Sequence, residues 1–156
     1  MVTELKVIGG APLRGTVEIS SDEQAILACQ AASLLATSGT VILDHVPARA
    51  AVVAMNKFLQ QLGVRIVFDR PKQVLKLDAG WHITPAPLEL GNLLAAGTVL
   101  ARCQQVTLPA GKTAEISREI REITKVLTQL GAQVENEGNA TKLTAQFLTG
   151  TTLDLG

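Results

Sequence analysis

The first half of the chain changes from a strand-like to a helix-like pattern of hydrophobic residues. Residues 13–20 alternate, with Val17 and Ile19 on one face and polar residues on the other, which predicts a strand. Residues 25–36 are almost wholly apolar and short-chained, which is typical of a helix buried on most sides. A short buried strand is predicted over residues 40–43.

A second helix and a hairpin complete this half. Proline suits the first turn of a helix, so the helix is predicted to begin at Pro47. Gly63 is expected just past its end, because glycine adopts the left-handed conformation at little cost. Residues 64–68 and 74–77 predict a hairpin around residues 70–72. The predicted core face of the helix consists of Val52, Val53, Met55, Phe58, Leu59 and Leu62.

The same order of elements returns in the second half. The predicted elements are a helix over 88–102, a strand over 105–108, a helix over 114–130 that Gly131 caps, and a hairpin over 132–134 and 141–144. The side chains of the second helix that are expected to face inward are Ile116, Ile120, Ile123, Leu127 and Leu130.

Short segments of the two halves also match letter by letter. Residues 59–64 match residues 127–132 at an offset of 68, and residues 76–79 match residues 142–145 at an offset of 66. A nearly constant offset across a helix end, a turn and a strand indicates an internal duplication. The start of the chain is echoed near its end, where the pattern of residues 13–16 returns.

This duplication predicts an α/β (α+β) fold in which adjacent βαβαββ units pack together. We expect the helices to lie inside and the sheets outside, or the helices to cover one sheet layer. The expected organisation is a single lobe over 1–156, with repeats at approximately 13–80 and 81–147 and the opening strand of a third repeat at 148–156.

Composition and charge exclude several classes of protein. The chain has 156 residues, of which 47% are apolar and 18% charged, so it can bury a core and is not disordered. Basic and acidic residues both number 14, and a net charge of zero argues against nucleic-acid binding through a general basic field. No apolar run reaches the ~18 residues of a membrane span, and the start of the chain lacks a signal-peptide pattern. The cytosol is therefore the expected compartment, with no membrane partner.

The two cysteines and two histidines do not predict a metal site. Cys29 and Cys103 are far apart, no Cys-x-x-Cys occurs, and His45 and His82 are isolated. We expect two buried, reduced thiols, no metal and no cofactor.

Several segments together resemble the enolpyruvyl transferase family, and the resemblance runs from about residue 4 to the end of the chain. Within the family it is closest to the N-terminal lobe of the branch that acts on UDP-N-acetylglucosamine in peptidoglycan precursor synthesis. The resemblance implies an inverse α/β barrel of two lobes, each with three βαβαββ units, and an active site in the cleft between the lobes. The segments that carry it are residues 17–20, 34–36 and 46–47, the Gln-Leu-Gly turns at 61–63 and 129–131, and residues 108–111.

The resemblance fails at the positions where the family has its catalytic and substrate-binding residues. The family's Lys-Asn pair falls on Glu23 and Gln24, and a carboxylate there would repel phosphoenolpyruvate. The catalytic position of the family's mobile loop falls on Lys112. The loop arginine falls on Ser117, one place before Arg118, and an earlier helical arginine falls on Leu90. No catalytic residue is therefore predicted.

Three basic residues remain candidates for substrate binding: Lys112, Arg118 and Arg121. They could form an anion site at a helix N-terminus. A solvated charged face is the favoured alternative, because glutamates interleave with them and Arg118 and Glu122 are spaced as an i,i+4 pair. Glu23 could be a catalytic carboxylate, but a partner of the helix N-cap is the better interpretation. Trp81 and His82 are interpreted as packing residues at a surface seam, or Trp81 as part of a partner interface.

Three functions remain open. The favoured one is a catalytically degenerate, truncated relative of the enolpyruvyl transferases that binds or self-associates, with a second copy or a complementary transferase lobe as partner. The first alternative is a fragment or split half of an active transferase, which would use phosphoenolpyruvate and UDP-N-acetylglucosamine and would be inactive alone. The second is a non-catalytic sensor of a sugar nucleotide or phosphorylated metabolite.

Overall fold

A computed structural model describes residues 21–153. The predicted strand at 13–20 lies outside these residues. Residues 148–153 form no strand, and the rest of the predicted opening strand of a third repeat lies beyond the described range. The helices of the described range are α1 (Glu23–Ala32), α2 (Ala50–Gln61), α3 (Ala96–Cys103) and α4 (Ala114–Gln129), with 3-10 segments at Ser33–Leu35 and Leu90–Ala95. Its strands are β1 (Val41–Leu43), β2 (Arg65–Asp69), β3 (Val74–Asp78), β4 (Gln105–Leu108), β5 (Gln133–Glu137) and β6 (Ala140–Thr144).

The six strands form two antiparallel sheets of the same design. The strand order is β1-β3-β2 in the first sheet and β4-β6-β5 in the second, so the third strand of each half lies in the middle. Both predicted hairpins are confirmed, as β2–β3 and β5–β6. In β3, Leu75 and Leu77 are buried while Lys76 is exposed between Ile42 and Val67 of the neighbouring strands. The alternation of side chains thus gives the first sheet a core face and an outer face.

One hydrophobic core joins the two halves. α1 packs against α2 and against residues 90–95, and α3 packs against the 3-10 segment that follows α1. The first half contributes Leu34 and Leu59 to this core, and the second contributes Leu100 and Leu143, each at most 1% exposed. Each such side chain contributes about 1.5–3 kcal/mol relative to an exposed position. The fold is therefore a mixed α/β fold whose helices meet across the two halves.

The two predicted apolar helices are each interrupted. The first ends as an α-helix at Ala32, and Ser33 begins a 3-10 segment in which its hydroxyl donates to the Gln30 carbonyl at 2.6 Å. The second begins as a 3-10 segment because Gly91 and Asn92 favour the α-helix poorly. Hydrophobic periodicity alone does not detect either change.

The prediction that α2 begins at Pro47 is wrong, since the helix starts at Ala50 with Arg49 as N-cap. The residues before it are held out of the helix by a long-range contact. Val46 is buried, and its N–H donates to the Gln73 carbonyl at 2.8 Å. The predicted position of Gly63 is confirmed, because it follows the C-cap of α2 with φ of 97°.

Candidate functional site

A groove of about 1050 Å³ runs along α4. One wall is α4 from Arg118 to Leu130, and the other is formed by α1, by residues 90–97 and by Met55 of α2. We call this the α4 groove. Leu27, Met55 and Leu93 give it an apolar lining, and its volume is at the upper end for small-molecule pockets.

The groove exists because α4 is only partly covered by the rest of the chain. All five side chains that were predicted to face inward contact the core, but only Ile120 and Leu127 are buried. Ile116, Ile123 and Leu130 are half-buried, and Ile123 and Leu130 line the groove. The apolar face of α4 is therefore wider than the part of it that the other described residues cover.

The N-terminus of α4 is held by a local set of contacts. Thr113 is the N-cap, and its Oγ1 accepts from the N–H of Ile116 at 3.3 Å. The Ser117 hydroxyl donates back to the Thr113 carbonyl at 2.8 Å. A Cβ on Gly111 would lie 2.7 Å from the Ser117 Cα, so only glycine fits where the loop folds onto the helix.

The structure brings together two of the positions that the family resemblance marked and the basic residue that follows a third. Gln24, Leu90 and Arg118 all line the α4 groove. Glu23 does not line it, and its carboxylate lies 3.8 Å from the Arg49 guanidinium. Asp22 is the N-cap of α1, because its side chain accepts from the Gln24 N–H at 3.2 Å. The interpretation of Glu23 as a partner of the cap involves Ser20, which lies outside the described residues, and stays a prediction.

The candidate cations do not form one cluster. Arg118 lines the groove, whereas Lys112 is exposed in the loop before α4 and Arg121 is exposed outside the groove lining. Arg118 and Glu122 make no ion pair in the described part of the chain. Both are exposed, where such a pair gains only a few tenths of a kcal/mol.

The charges that line the α4 groove cancel. Among its described lining residues, Arg118 and Lys125 are positive and Glu119 and Glu122 are negative. Lys125, Leu94 and Gln129 also line the groove, although no motif in the sequence marks them as site residues. Lys125 and Gln129 follow Arg118 at i+7 and i+11, a helical spacing that could have placed them on the same face.

Two exposed aromatic side chains lie outside the α4 groove. Trp81 is 75% exposed, so the interpretation of Trp81 as a packing residue is wrong, and His82 is exposed as well. Phe147 is 77% exposed and lines a second recess of about 540 Å³ with Gln104 and Thr144. A role for Trp81 in a partner interface stays a prediction.

The cysteines lie in different environments. Cys29 is exposed, so the prediction that it is buried is wrong, whereas Cys103 is half-buried. Burial raises the pKa of the Cys103 thiol, and the neighbouring Arg102 charge opposes this shift. Within residues 21–153, no group of three or more possible metal ligands comes together, and no helix is long and apolar enough to cross a bilayer.

Residues 7–155 match the sequence pattern of the EPSP synthase (3-phosphoshikimate 1-carboxyvinyltransferase) family. The chain belongs to this family. The predicted resemblance to enolpyruvyl transferases is thereby confirmed. The match covers nearly the whole chain and includes α4 and the residues of the groove.

Two similar relatives of this EPSP synthase-family chain carry the name UDP-N-acetylglucosamine 1-carboxyvinyltransferase. The protein from Dichelobacter nodosus is 35% identical over 159 aligned residues, which cover 94% of this chain and 37% of the relative. The second such enzyme of Staphylococcus saprophyticus is 32% identical, over 97% of this chain and 38% of the relative. The chain thus spans less than two-fifths of the length of these relatives.

Solved structures of the same family share the fold. The enolpyruvyl transferase NikO from Streptomyces tendae has a TM-score of 0.74 at 20% identity, over 90% of this chain and 32% of that protein. EPSP synthase from Acinetobacter baumannii has a TM-score of 0.59 at 15% identity, over 92% of this chain and 36% of that protein. The arrangement of α1–α4 with two small sheets is therefore a family arrangement.

Proposed function

We propose that this chain acts by binding another protein surface through the α4 groove, and that it does not catalyse enolpyruvyl transfer by itself. The observation that carries the proposal is the neutral, largely apolar lining of the α4 groove, in which Leu90 stands where the family resemblance expects a cation. Leu90 offers no charge, and Arg118 is offset by Glu119 in the same lining. Electrostatic clamping of the reacting groups supplies much of the rate enhancement in enzymes, and this groove has no net charge for it.

The proposed partner is a second copy of the chain or a complementary transferase lobe. Leu94 supports this proposal, because it is 51% exposed at the groove while its neighbours Leu93 and Ala95 are buried. Exposed apolar surface that is rimmed by polar residues is typical of a protein interaction site. The cytosol is the proposed compartment, which two unpaired cysteines suit.

We also propose that the two halves are copies of one βαβαββ unit within an inverse-barrel lobe. The common strand order of the two sheets supports this proposal. The glycines that follow α2 and α4 support it too, since Gly63 and Gly131 have φ values of 97° and 101°.

The alternative is a split half of an active enolpyruvyl transferase. The short share of the relatives' length that the chain spans favours it. In that case the missing cations would come from the complementary lobe. Arg118 alone supports the second alternative, a sensor of a sugar nucleotide or phosphorylated metabolite, because Lys112 and Arg121 do not line the groove.

Light scattering over a concentration series tests the proposal, with Leu94→Glu as the disrupting variant. Leu35→Glu is the matched control, since Leu35 is 53% exposed and does not line the groove. We expect association of the wild type, alone or with the complementary part of the Dichelobacter nodosus relative, and its loss only in Leu94→Glu. A strict monomer that binds neither partner would refute the proposal.

The alternatives are separated by two further measurements on the same samples. Phosphate release from phosphoenolpyruvate and UDP-N-acetylglucosamine in the presence of the complementary lobe would establish the split enzyme. A thermal shift with UDP-N-acetylglucosamine that Arg118→Glu abolishes, without turnover, would establish the sensor.

A further inference from the structure

Arg102 of α3 contacts three backbone carbonyls that belong to other parts of the chain. Its Nη1 donates to the carbonyl of Leu34. Its Nη2 donates to the carbonyl of Gly80 at 2.7 Å and to that of Trp81 at 3.2 Å. We call these three hydrogen bonds the Arg102 clamp. We propose that this clamp fixes the second half of the chain on the first and thereby holds together the groove wall that faces α4.

The three carbonyls lie where segments of the first half end. Leu34 lies in the 3-10 segment that follows α1. The unpaired carbonyls at the C-terminal end of a helix carry partial negative charge. Gly80 and Trp81 follow β3 and begin the segment that connects the two halves. Arginine suits this position because its planar guanidinium has five N–H donors and keeps its charge at every physiological pH. Lysine would offer a point charge without the fork geometry.

The groove wall that faces α4 contains residues of both halves. Gln24 and Leu27 line it from the start of α1, and Gly97 lines it from the start of α3. The clamp joins the C-terminal ends of these two helical segments. At 1.5 Å per residue, Leu34 lies about 10 Å along the helix from Leu27. Arg102 itself does not line the groove, so its effect on the groove acts through the position of the helices.

The chain carries its own reporter for opening of this junction. Cys103 follows Arg102 and is half-buried, while Cys29 is exposed and serves as an internal control. Loss of Arg102 also removes the positive charge that lowers the pKa of the Cys103 thiol. Fewer thiolates would then form, and labelling would slow. Faster labelling in a variant therefore cannot come from a change in thiol acidity, and it reports greater exposure of Cys103.

The experiment measures thiol labelling of Cys103 and Cys29 separately by mass spectrometry, in wild type, Arg102→Met and Arg102→Lys. We expect Cys103 to react about tenfold faster in Arg102→Met, the factor that corresponds to loss of one net charged hydrogen bond. Cys29 should keep its rate. Arg102→Lys should lie between wild type and Arg102→Met, and it serves as the test variant if Arg102→Met does not fold.

A distance measurement addresses the groove directly. Spin labels at Gln24→Cys and Leu94→Cys, in a Cys29→Ser, Cys103→Ser background, report the separation of residues from the two halves that line the groove. We expect a single narrow distance with Arg102 and a broader distribution in Arg102→Met. An unchanged distribution, or unchanged Cys103 labelling, would overturn the inference. If Cys103 labelling accelerated only as far as the loss of global stability in urea denaturation predicts, this result would also overturn the inference, because it would assign Arg102 to global stability alone. None of these measurements depends on what the groove binds.

Discussion

Gly111→Ala is the substitution whose effect the structure predicts most directly. A Cβ at this position would lie 2.2 Å from the Oγ, 2.7 Å from the Cα and 2.8 Å from the N of Ser117. The hydroxyl can rotate away, but the other two atoms belong to the backbone of the first turn of α4. The loop must therefore lift off the helix, or the helix must shift.

The expected cost is about 2 kcal/mol of unfolding free energy. Overpacking of a tight contact costs about 1–3 kcal/mol. If the loop lifts off instead, the Thr113 cap is lost, which costs about 1 kcal/mol. Urea denaturation measures the total, and trypsin cleavage after Lys112 reports whether the loop has moved. We expect both lower stability and faster cleavage at that bond.

Gly91→Ala is the matched control, because nothing lies within 4 Å of a Cβ at Gly91. It should leave stability unchanged or raise it by about 0.4–1 kcal/mol, through the smaller entropy of the unfolded chain. Addition of Ser117→Ala to Gly111→Ala should give at most partial rescue, since the clash with the backbone of residue 117 remains. If Gly111→Ala matched the wild type in both urea midpoint and cleavage rate, the packing of the loop on α4 would be wrong.

Three other predictions concern single contacts. Thr113→Ala should lower the free energy of unfolding measured in urea by about 1 kcal/mol, whereas Thr113→Ser should keep the cap and the stability. Equal losses in the two variants would contradict capping by the hydroxyl. Asn56→Leu should lower the free energy of unfolding by about 1–3 kcal/mol, because it leaves the buried Gln30 Nε2 without its partner at 2.8 Å. The Gln30→Leu, Asn56→Leu double variant should recover part of this loss, and additive losses would argue against an interaction between the two side chains. Because the pKa of Cys103 is raised, the folded state keeps its thiol proton to higher pH than the unfolded state, so this contribution to stability is complete below about pH 8.5 and is lost as pH rises through the folded-state pKa. Cys103→Ala should remove this alkaline loss of stability in pH-dependent thermal melts. An unchanged pH profile in Cys103→Ala would refute the prediction.

Local patterns predicted most of the fold. The alternation of Leu75, Lys76 and Leu77 is sufficient to define β3, because strand periodicity is a property of adjacent residues. The glycines after α2 and α4 were found for the same reason. The start of α2 was missed because the hydrogen bond from Val46 to Gln73 spans 27 residues, and no local pattern records it.

The candidate site was predicted less completely than the fold. The resemblance marked Gln24 and Leu90, while Arg118 was a candidate as a basic residue beside a marked position. The groove contains all three. Lys112 and Arg121 were grouped with Arg118 because they are near it in sequence. Arg121 neighbours Arg118 on the surface of α4, yet it lies beyond the edge of the stripe that lines the groove. The groove itself depends on how far α4 stands from α1, which only tertiary packing determines.

The strand order of each sheet has a consequence for synthesis on the ribosome. The middle strand is the last of its three to be made, so among the described strands β1 has no partner until β3 has emerged. From Leu43 to Asp78 the ribosome adds 78 − 43 = 35 residues, which takes about 2–7 s at 5–20 residues per second. The hairpin then closes within microseconds. For those seconds the nascent chain carries a bare apolar strand of Val41, Ile42 and Leu43, the kind of segment that chaperones protect.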